Sequence, residues 1–311
     1  MTLSRNVLAG LVSSSWSTIV GIAVVPIYLR YLGVEAYGVI GFFATTQAFL
    51  QVFDLGLAPT VNREVARCAA GGDIRQASRL LHTLAVVYWV TAVILGGAVV
   101  LAAPAIATGW LQARQLPPDT VSRAVALMGL TVACRWPIAL YIGAVMGAER
   151  IVLASGLAMA MTTLSSVGAV AVIAFVSPTL EALFIWQAGA GLLHAIVARW
   201  AAWRTVPRFA ETRFDSAELR RVWRFSAGMS GIALFTLAFS QMDKVILSRV
   251  LTLGDFGRYM LATTVASGLY VLVTPFMNAL YPRFSALVVS ETGAVDVGIS
   301  GVGGVGLSTA I

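Results

Sequence analysis

Charged side chains are scarce in this chain of 311 residues, since Asp, Glu, Lys and Arg together make up only 11% of it. A soluble domain carries about 25% charged residues. The mean hydropathy of +0.86 and the 59% content of hydrophobic residues agree with this scarcity. So few charges cannot keep a folded surface hydrated, and lipid is therefore expected to be the solvent for much of the chain.

Lysine, cysteine and histidine are also rare. Lys244 is the only lysine among 21 basic residues. Cys68 and Cys134 lie far apart and form neither a disulfide framework nor a metal-binding spacing. His82 and His194 are too isolated to complete a metal site with them. No metal and no cofactor is therefore expected.

Enzyme motifs are missing as well. The sequence has no P-loop, no glycine-rich Rossmann fingerprint and no G-x-S-x-G elbow. No connection on the predicted extracellular side is long enough to fold a catalytic domain. The chain is therefore not expected to be an enzyme, and an ion gradient, a membrane potential or a substrate gradient would have to drive any transport.

Long apolar segments dominate what is present. A transmembrane helix needs about 20 mostly apolar residues. Eight segments meet this requirement, and the first is too long for a cleaved signal peptide. They predict an all-α, polytopic helical membrane protein. The predicted spans are 7–29, 37–59, 80–103, 121–144, 151–176, 180–199, 225–247 and 258–280.

Basic residues predict the orientation of these spans. With a cytoplasmic N-terminus, 13 arginines lie in cytoplasmic segments and five lie on the opposite side. The positive-inside rule therefore favours a cytoplasmic N-terminus. The net charge of +7 does not indicate nucleic-acid binding, because the basic residues sit in short connections between helices. The five opposite arginines are Arg30, Arg114, Arg123, Arg249 and Arg258.

One sequence pattern occurs twice. The segment 32–38 followed by 43–46 resembles the segment 251–257 followed by 261–264. Gly38 corresponds to Gly257 with an offset of 219 residues, and Ala44 corresponds to Ala262 with an offset of 218. Internal repeats in a membrane chain indicate a two-lobed transporter with its pathway between the lobes. Six spans separate the copies, so the repeats are expected to be parallel.

The repeat predicts the domain organisation. Residues 1–200 would form a six-helix lobe, 201–224 a basic cytoplasmic linker with a surface-lying helix, and 225–287 the first two helices of a second lobe. Residues 288–311 contain many glycines but no aromatic, lysine or arginine residue. They are expected to be an atypical tail, produced by truncation or a frameshift. Translating the downstream DNA in the other reading frames would test this.

Polar residues inside the predicted spans are candidates for function, because they are costly in lipid. Gln47, Gln51 and Asp54 follow one helical face at i, i+4 and i+7. They predict either the lining of a central cavity or a seam of hydrogen bonds between helices. Asp54 lies towards the cytoplasmic end, so pairing with loop arginines is a further alternative.

Arg135 lies near the middle of the span 121–144. An arginine at this depth costs about 2.5–3.5 kcal/mol even on the lower scales. Its planar guanidinium presents a fork of donors that suits phosphate oxygens. The position predicts contact with an anionic ligand, with a structural ion pair or a displaced, snorkelling span as alternatives.

Two further spans carry polar residues. Asp243 and Lys244 suggest either ion coupling or an interfacial charge cluster, and as sequence neighbours on a helix they are not expected to pair. Gln187, Gly191 and His194 share one face of the span 180–199. A lone histidine is more often a hydrogen-bonded packing residue than a proton relay.

Several motifs occur in the order of a known family. They are residues 26–38, 53–57, 62–67, 241–247 and 255–259. Together, over about residues 1–287, they resemble the Wzx-type flippases of polysaccharide and O-antigen biosynthesis. This group belongs to the larger superfamily of multidrug, oligosaccharidyl-lipid and polysaccharide exporters.

The resemblance implies a protein of the bacterial inner membrane. It would move an undecaprenyl-pyrophosphate-linked oligosaccharide from the cytoplasmic to the periplasmic leaflet by alternating access of two lobes around a cationic cavity. By this analogy Arg135 would bind the pyrophosphate or an acidic sugar, and Asp54 and Asp243 would gate or couple transport. From their positions in the spans, Gln47 and Gln51 are further candidates for substrate binding and Lys244 for coupling. The implied partners are the lipid-linked oligosaccharide, membrane lipids, and the glycan polymerase and glycosyltransferases of the same pathway, with no nucleic acid.

Three alternatives remain open from the sequence. A multidrug or small-cation exporter with the same lobes would have acidic residues dominating its cavity, and Arg135 argues against it. A membrane glycan polymerase or ligase would need a large periplasmic loop. An inactive fragment is the third alternative, because the predicted second lobe contains only two helices.

Overall fold

The computed structural model describes residues 3–209 and 213–268. These residues are helical apart from short connections and one isolated bridge between Gln112 and Thr252. The helices are α1 (Leu3–Leu50), α2 (Leu57–Ala70), α3 (Ile74–Gly109), α4 (Pro118–Gly147), α5 (Ile151–Ala171), α6 (Leu180–Thr205) and α7 (Ser216–Val250), with α8 beginning at residue 253. A 3₁₀ turn, Gln51–Asp54, follows α1, and a π-helical turn, Val172–Val176, extends α5. Residues Met1–Thr264 form one compact unit, to which the following description applies.

The prediction of a polytopic helical membrane protein is confirmed. Five of the described helices are long and apolar enough to cross a membrane: α1, α3, α4, α5 with its π-helical turn, and α6. Helix α1 contains most of the first two predicted spans, so these five helices correspond to six of the eight. The predicted span 225–247 lies in α7. The second half of the span 258–280 and the predicted tail 288–311 lie outside the described residues.

Gly33 divides α1 into two helical segments, where the sequence predicts a loop between residues 29 and 37. Its φ of 84° and ψ of 174° interrupt the helix at this one residue, and a positive φ of this size favours glycine. The predicted span 37–59 also ends too late. Helix α1 ends at Leu50, and left-handed conformations at Leu55 and Gly56 separate the 3₁₀ turn from α2.

Helix α4 lies at the centre of the unit, packed on α3 and α6. Gly96 of α3 and Gly129 of α4 allow close approach of the two backbones. A Cβ atom on Gly96 would lie 2.7 Å from the Gly129 carbonyl oxygen, and one on Gly129 would lie 2.6 Å from the Gly96 carbonyl oxygen. Small residues are the usual means of packing helices closely in membranes.

One end of the unit, here called the Gly33 end, contains the Gly33 turn, the α3–α4 connection and the α7–α8 connection. Glu35 accepts hydrogen bonds from the backbone of the α3–α4 connection, and the Leu253 amide donates to the Gln112 carbonyl at 2.9 Å. Helix α8 begins where Thr252 and Asp255 cap it, since the Asp255 amide donates to Thr252 Oγ1 at 3.2 Å.

The opposite end, here called the linker end, contains α2, the start of α3 and the connection from α6 to α7. Within the predicted linker 201–224, the residues expected to form a surface-lying helix belong to the start of α7. Helix α6 continues to Thr205, and α7 begins at Ser216 and runs without interruption into the predicted span. The reason is the cap at Asp215, whose carboxylate accepts a hydrogen bond from the Ala217 amide at 2.8 Å and starts the helix there.

Ion pairs and a hydrogen bond join three helices at the linker end. Glu64 of α2 contacts Arg67 at 2.9 Å and Arg221 of α7 at 3.3 Å. Arg221 also contacts Glu218 at 2.7 Å, and Gln76 of α3 donates to Glu218 Oε1 at 3.1 Å. The start of α7 is therefore held to α2 and α3 by charged and amide side chains, in addition to the apolar packing of the buried Val222.

Candidate functional site

Arg135 of α4 links three helices near the middle of the unit. Its guanidinium donates hydrogen bonds to Gln187 of α6 and, at 3.4 Å, to Ser165 Oγ of α5. Ser165 also donates to Gln187 Oε1 at 2.9 Å. The three side chains form one polar network inside an otherwise apolar bundle, and every hydrogen-bonding partner in it is neutral.

Arg135 has no ion-pair partner within the described part of the chain. Its positive charge is thus balanced only by the dipoles of Gln187 and Ser165. The sequence raised a structural ion pair as an alternative, but no acidic side chain among the described residues pairs with Arg135. An uncompensated cation in such a place attracts an anion.

Two cavities meet at Arg135. The smaller has a volume of about 330 Å³ and the larger about 680 Å³. Gln47, Arg135 and Ala139 lie in the walls of both. Tyr28, Ser165 and Gln187 line the larger cavity only. The combined space adjoins α1, α4, α5 and α6 and has the size of a small-molecule site.

The structure brings the polar residues of the predicted span 37–59 to the smaller cavity. Gln47, Gln51 and Asp54 all line it together with Arg135, although Gln51 and Asp54 belong to the 3₁₀ turn and not to α1. The four residues therefore share one wall despite the break in the helix. Their roles in binding or gating stay predictions.

The carboxylate of Asp54 has two partners. Tyr88 of α3 donates its hydroxyl proton to Oδ1, and the Ala58 amide donates to Oδ2 at 3.3 Å. Asp54 therefore ties the start of α2 to α3. Pairing with a loop arginine is not needed to explain its position, and coupling through Asp54 stays a prediction.

Asp243 and Lys244 form an ion pair, which corrects the expectation that they would not. Lys244 Nζ lies 3.5 Å from Asp243 Oδ1 and donates to the Ser240 carbonyl at 2.9 Å. The flexible four-carbon stem of lysine allows its ammonium group to reach back beside its neighbour. Asp243 also accepts a hydrogen bond from Tyr259. Neither residue is among the described residues that line the two cavities, and their coupling role stays a prediction.

Gly191 and His194 lie in the wall of the larger cavity. A Cβ atom on Gly191 would be 2.8 Å from Arg135 Cγ, so glycine makes room for the arginine stem. His194 Nε2 is buried and has no hydrogen-bond partner among the described residues. The histidine is therefore not the hydrogen-bonded packing residue that the sequence favours.

Two polar residues near Arg135 did not enter the sequence prediction. Ser165 lies in the apolar run of α5, and Tyr28 lies in α1 shortly before the Gly33 turn. Ser165 shares a helical face with Thr162, three residues earlier, and both line the larger cavity, so this polar stripe was a signal that the sequence prediction missed. For Tyr28 the signal is weaker, namely a hydrogen-bonding side chain inside a predicted span.

Comparisons with known proteins agree with the resemblance found in the motifs. No curated protein matches the chain, and no solved structure matches it. A family model described as "Polysaccharide biosynthesis protein" matches residues 3–288. The match covers every described helix and the residues around both cavities. The chain is a multi-pass membrane protein that belongs to the polysaccharide biosynthesis protein family, the family of Wzx-type polysaccharide and O-antigen flippases and related exporters.

Proposed function

We propose that this protein is a flippase that moves an undecaprenyl-pyrophosphate-linked oligosaccharide across the bacterial inner membrane for surface polysaccharide or O-antigen synthesis. The observation that carries the proposal is the charge of Arg135, which faces two joined cavities and has only neutral partners among the described residues. Membership of the polysaccharide biosynthesis family supports the class of substrate.

The chemistry of such a substrate explains the arrangement. Its polyprenyl tail can remain in the bilayer, whereas its pyrophosphate and sugar hydroxyls lose their hydration on crossing. The guanidinium of Arg135 would bind a phosphate oxygen through charge-assisted hydrogen bonds. Gln187 and Ser165 hold the guanidinium in place. The amides of Gln47 and Gln51 offer both donors and acceptors for sugar hydroxyls.

The proposed setting follows from the orientation of the charges. The N-terminus and the linker end would be cytoplasmic, where glycosyltransferases assemble the substrate, and the Gly33 end would be periplasmic, where a polymerase uses it. Asp54, Asp243 and Lys244 would couple or gate the movement. The protein itself would make and break no covalent bond.

The walls of the larger cavity favour an anion over a cation. Arg135 is its one arginine or lysine among the described lining residues, and these include no aspartate or glutamate. Asp54 in the smaller cavity is occupied by Tyr88 and the Ala58 amide. A small-cation exporter would therefore have to bind its substrate beside an unneutralised arginine.

Replacing Arg135 by Ala tests the proposal. A hydrogen bond to a charged group contributes about 1.5–3 kcal/mol, so we expect the transport rate to fall by about 10- to 100-fold. Lipid-linked oligosaccharide should accumulate in the cytoplasmic leaflet and surface glycan should decrease. Arg135→Lys should retain part of the activity, because it keeps the charge but loses the planar fork.

The matched control is Arg123→Ala, which removes an exposed arginine from the same helix. It should leave glycan export unchanged. Normal surface glycan in Arg135→Ala cells, with protein present at the wild-type level, would show that Arg135 does not bind the transported headgroup.

A further inference from the structure

The two copies of the sequence repeat contact each other at the Gly33 end. We call this the repeat contact and define it as residues 34–38 against residues 253–257. Gly38 and Gly257 are both buried in it. A Cβ atom on Gly38 would overlap the carbonyl oxygen of Leu253, and a Cβ atom on Gly257 would overlap the carbonyl oxygen of Val34. Each glycine therefore packs directly on the backbone of the other copy.

The contact is reciprocal under the sequence repeat. The offset of 219 residues that relates Gly38 to Gly257 also relates Val34 to Leu253. If each residue is exchanged for its equivalent in the other copy, the contact of Gly38 with Leu253 is converted into the contact of Gly257 with Val34. The structure contains both contacts. Reciprocal contact between equivalent residues is the property of an interface around a two-fold axis. Duplicated halves that move against each other commonly meet in this way.

Position 35 and its equivalent, position 254, also face each other. Glu35 Cγ lies 3.7 Å from the position of a Cβ atom on Gly254. The Glu35 carboxylate accepts hydrogen bonds from three consecutive backbone amides, Arg114 at 3.1 Å, Gln115 at 2.9 Å and Leu116 at 3.1 Å. A second carboxylate at position 254 would repel the first, and glycine occupies that position instead.

The surrounding contacts close the same end. The Leu253 amide donates a hydrogen bond to the Gln112 carbonyl at 2.9 Å, and Gln112 Nε2 donates one to the Arg249 carbonyl at 3.0 Å. Trp110 Nε1 donates to Ser248 Oγ at 3.0 Å. The α3–α4 connection is therefore joined to the α7–α8 connection beside the repeat contact.

Both cavities begin on the inner side of this contact. In the second segment of α1, the lining residues begin at Ile40 and continue to Leu50, with Gln51 and Asp54 of the 3₁₀ turn beyond it. Residues 35–39 are all buried and line neither cavity. Along this segment the repeat contact therefore lies between the lining residues of the cavities and the Gly33 turn.

We propose that the repeat contact is the gate that closes the transport pathway at the Gly33 end, and that its two-fold glycine packing must separate for the cavity to open there. This inference rests on the proposed transport function. The hydrogen bonds of the Glu35 carboxylate involve only the first copy and the α3–α4 connection. They therefore persist when residues 34–38 separate from residues 253–257. Opening breaks the glycine packing and the bonds of Gln112 and Trp110 to the α7–α8 region.

Thiol labelling tests the gate without any glycan. Ala139, which lines both cavities, is replaced by Cys in a chain with Cys68→Ala and Cys134→Ala. A membrane-impermeant methanethiosulfonate is added either to spheroplasts or to inverted vesicles. In Gly38→Leu and Gly257→Leu we expect labelling from the Gly33 side to become at least about tenfold faster, and labelling from the linker side to slow down.

Gly97→Leu is the matched control, because Gly97 is exposed in α3 and a Cβ atom there meets nothing within 4 Å. It should leave both labelling rates unchanged. If the leucine variants do not accumulate, Gly38→Ala and Gly257→Ala provide the same test with a smaller side chain. Unchanged labelling from both sides in folded variants at both glycines would overturn the proposal.

A charge placed at position 254 tests the two-fold arrangement. Gly254→Glu should open the contact by repelling Glu35, whereas Gly254→Ala, which makes only ordinary van der Waals contact, should not. Adding Glu35→Gln to Gly254→Glu should return the labelling rate towards that of wild type. Equal labelling of the Gly254→Glu and Gly254→Ala variants would rule out the facing arrangement. Labelling is independent of Arg135, so the gate and the proposed substrate can fail separately.

Discussion

The two ends of the bundle differ in their polar contacts, although close glycine packing and apolar cores occur at both. At the Gly33 end, glycines pack against backbone atoms and one buried carboxylate is satisfied by three amides. At the linker end, Glu64 and Glu218 join α2 and α7 through arginines that are 43–50% exposed. Close packing and buried hydrogen bonds depend on geometry and resist salt, whereas exposed ion pairs are screened by it.

The difference indicates that the two ends have different roles. A contact built from glycine and backbone can separate and re-form without placing an unpaired charge in the membrane. An ionic cluster tolerates small shifts of its long side chains and lies beside water and lipid headgroups. The Gly33 end is therefore suited to gating, and the linker end to anchoring the start of α7.

Removal of the Glu35 carboxylate should have the largest effect on stability. Glu35→Ala leaves three partly buried backbone amides without their acceptor, and we expect a loss of about 3 kcal/mol, or roughly 5–10 °C in Tm. Thermal unfolding of the purified protein in detergent measures this. Glu35→Gln, which keeps one acceptor oxygen, should lose less. The loss should be the same at low and high salt, and a strong salt dependence would contradict the buried, backbone-bonded geometry.

Neutralising Glu64 should have a smaller and salt-dependent effect. Glu64→Gln removes the acidic partner of Arg67 and one of the two acidic partners of Arg221, and we expect a loss of about 1 kcal/mol at low ionic strength. At 1 M salt the Debye length is about 3 Å, so the variant and the wild type should converge. Tm measured at low salt and at 1 M NaCl checks this. A loss that persists at high salt would show that packing and not charge holds α2 to α7.

Removal of the charge at the exposed cap of α8 should have the smallest effect on stability. The hydrogen bond from Thr252, with help from Arg258, lowers the pKa of the Asp255 carboxyl. A lowered folded-state pKa stabilises the protein above the unfolded pKa of about 3.9, and this stabilisation is lost as the pH falls through the folded value. Asp255→Asn should therefore lower Tm slightly at pH 7 and not at pH 3. An equal difference at both pH values would exclude the charge as its cause.

The sequence predicted some features well because they depend on local composition. The predicted span 151–176 has the limits of α5 and its π-helical turn. The break predicted around residues 30–36 is present but shorter than expected, because Gly33 alone supplies the positive φ at which the helix is interrupted. The break after Leu50 was missed, since a leucine at position 55 does not indicate a left-handed conformation.

The pair Asp243 and Lys244 shows the limit of pattern rules. Helical spacing places neighbouring side chains on different faces, but a long lysine stem can turn back to reach its neighbour. Likewise, the charge spacing in the linker did not show that the helix beginning at the Asp215 cap continues into the predicted span 225–247.

The amino-acid sequence alone determined that this chain spans a membrane, that it carries a duplicated segment, and that Arg135 lies in an apolar span. Each follows from composition, spacing or similarity along the chain. Only the tertiary structure decided that Arg135 has neutral partners, that Gln47 and Gln51 share its cavity wall, and that Gly38 and Gly257 pack reciprocally on each other's copy. Contacts between residues far apart in the chain depend on how helices pack, and no local pattern encodes them.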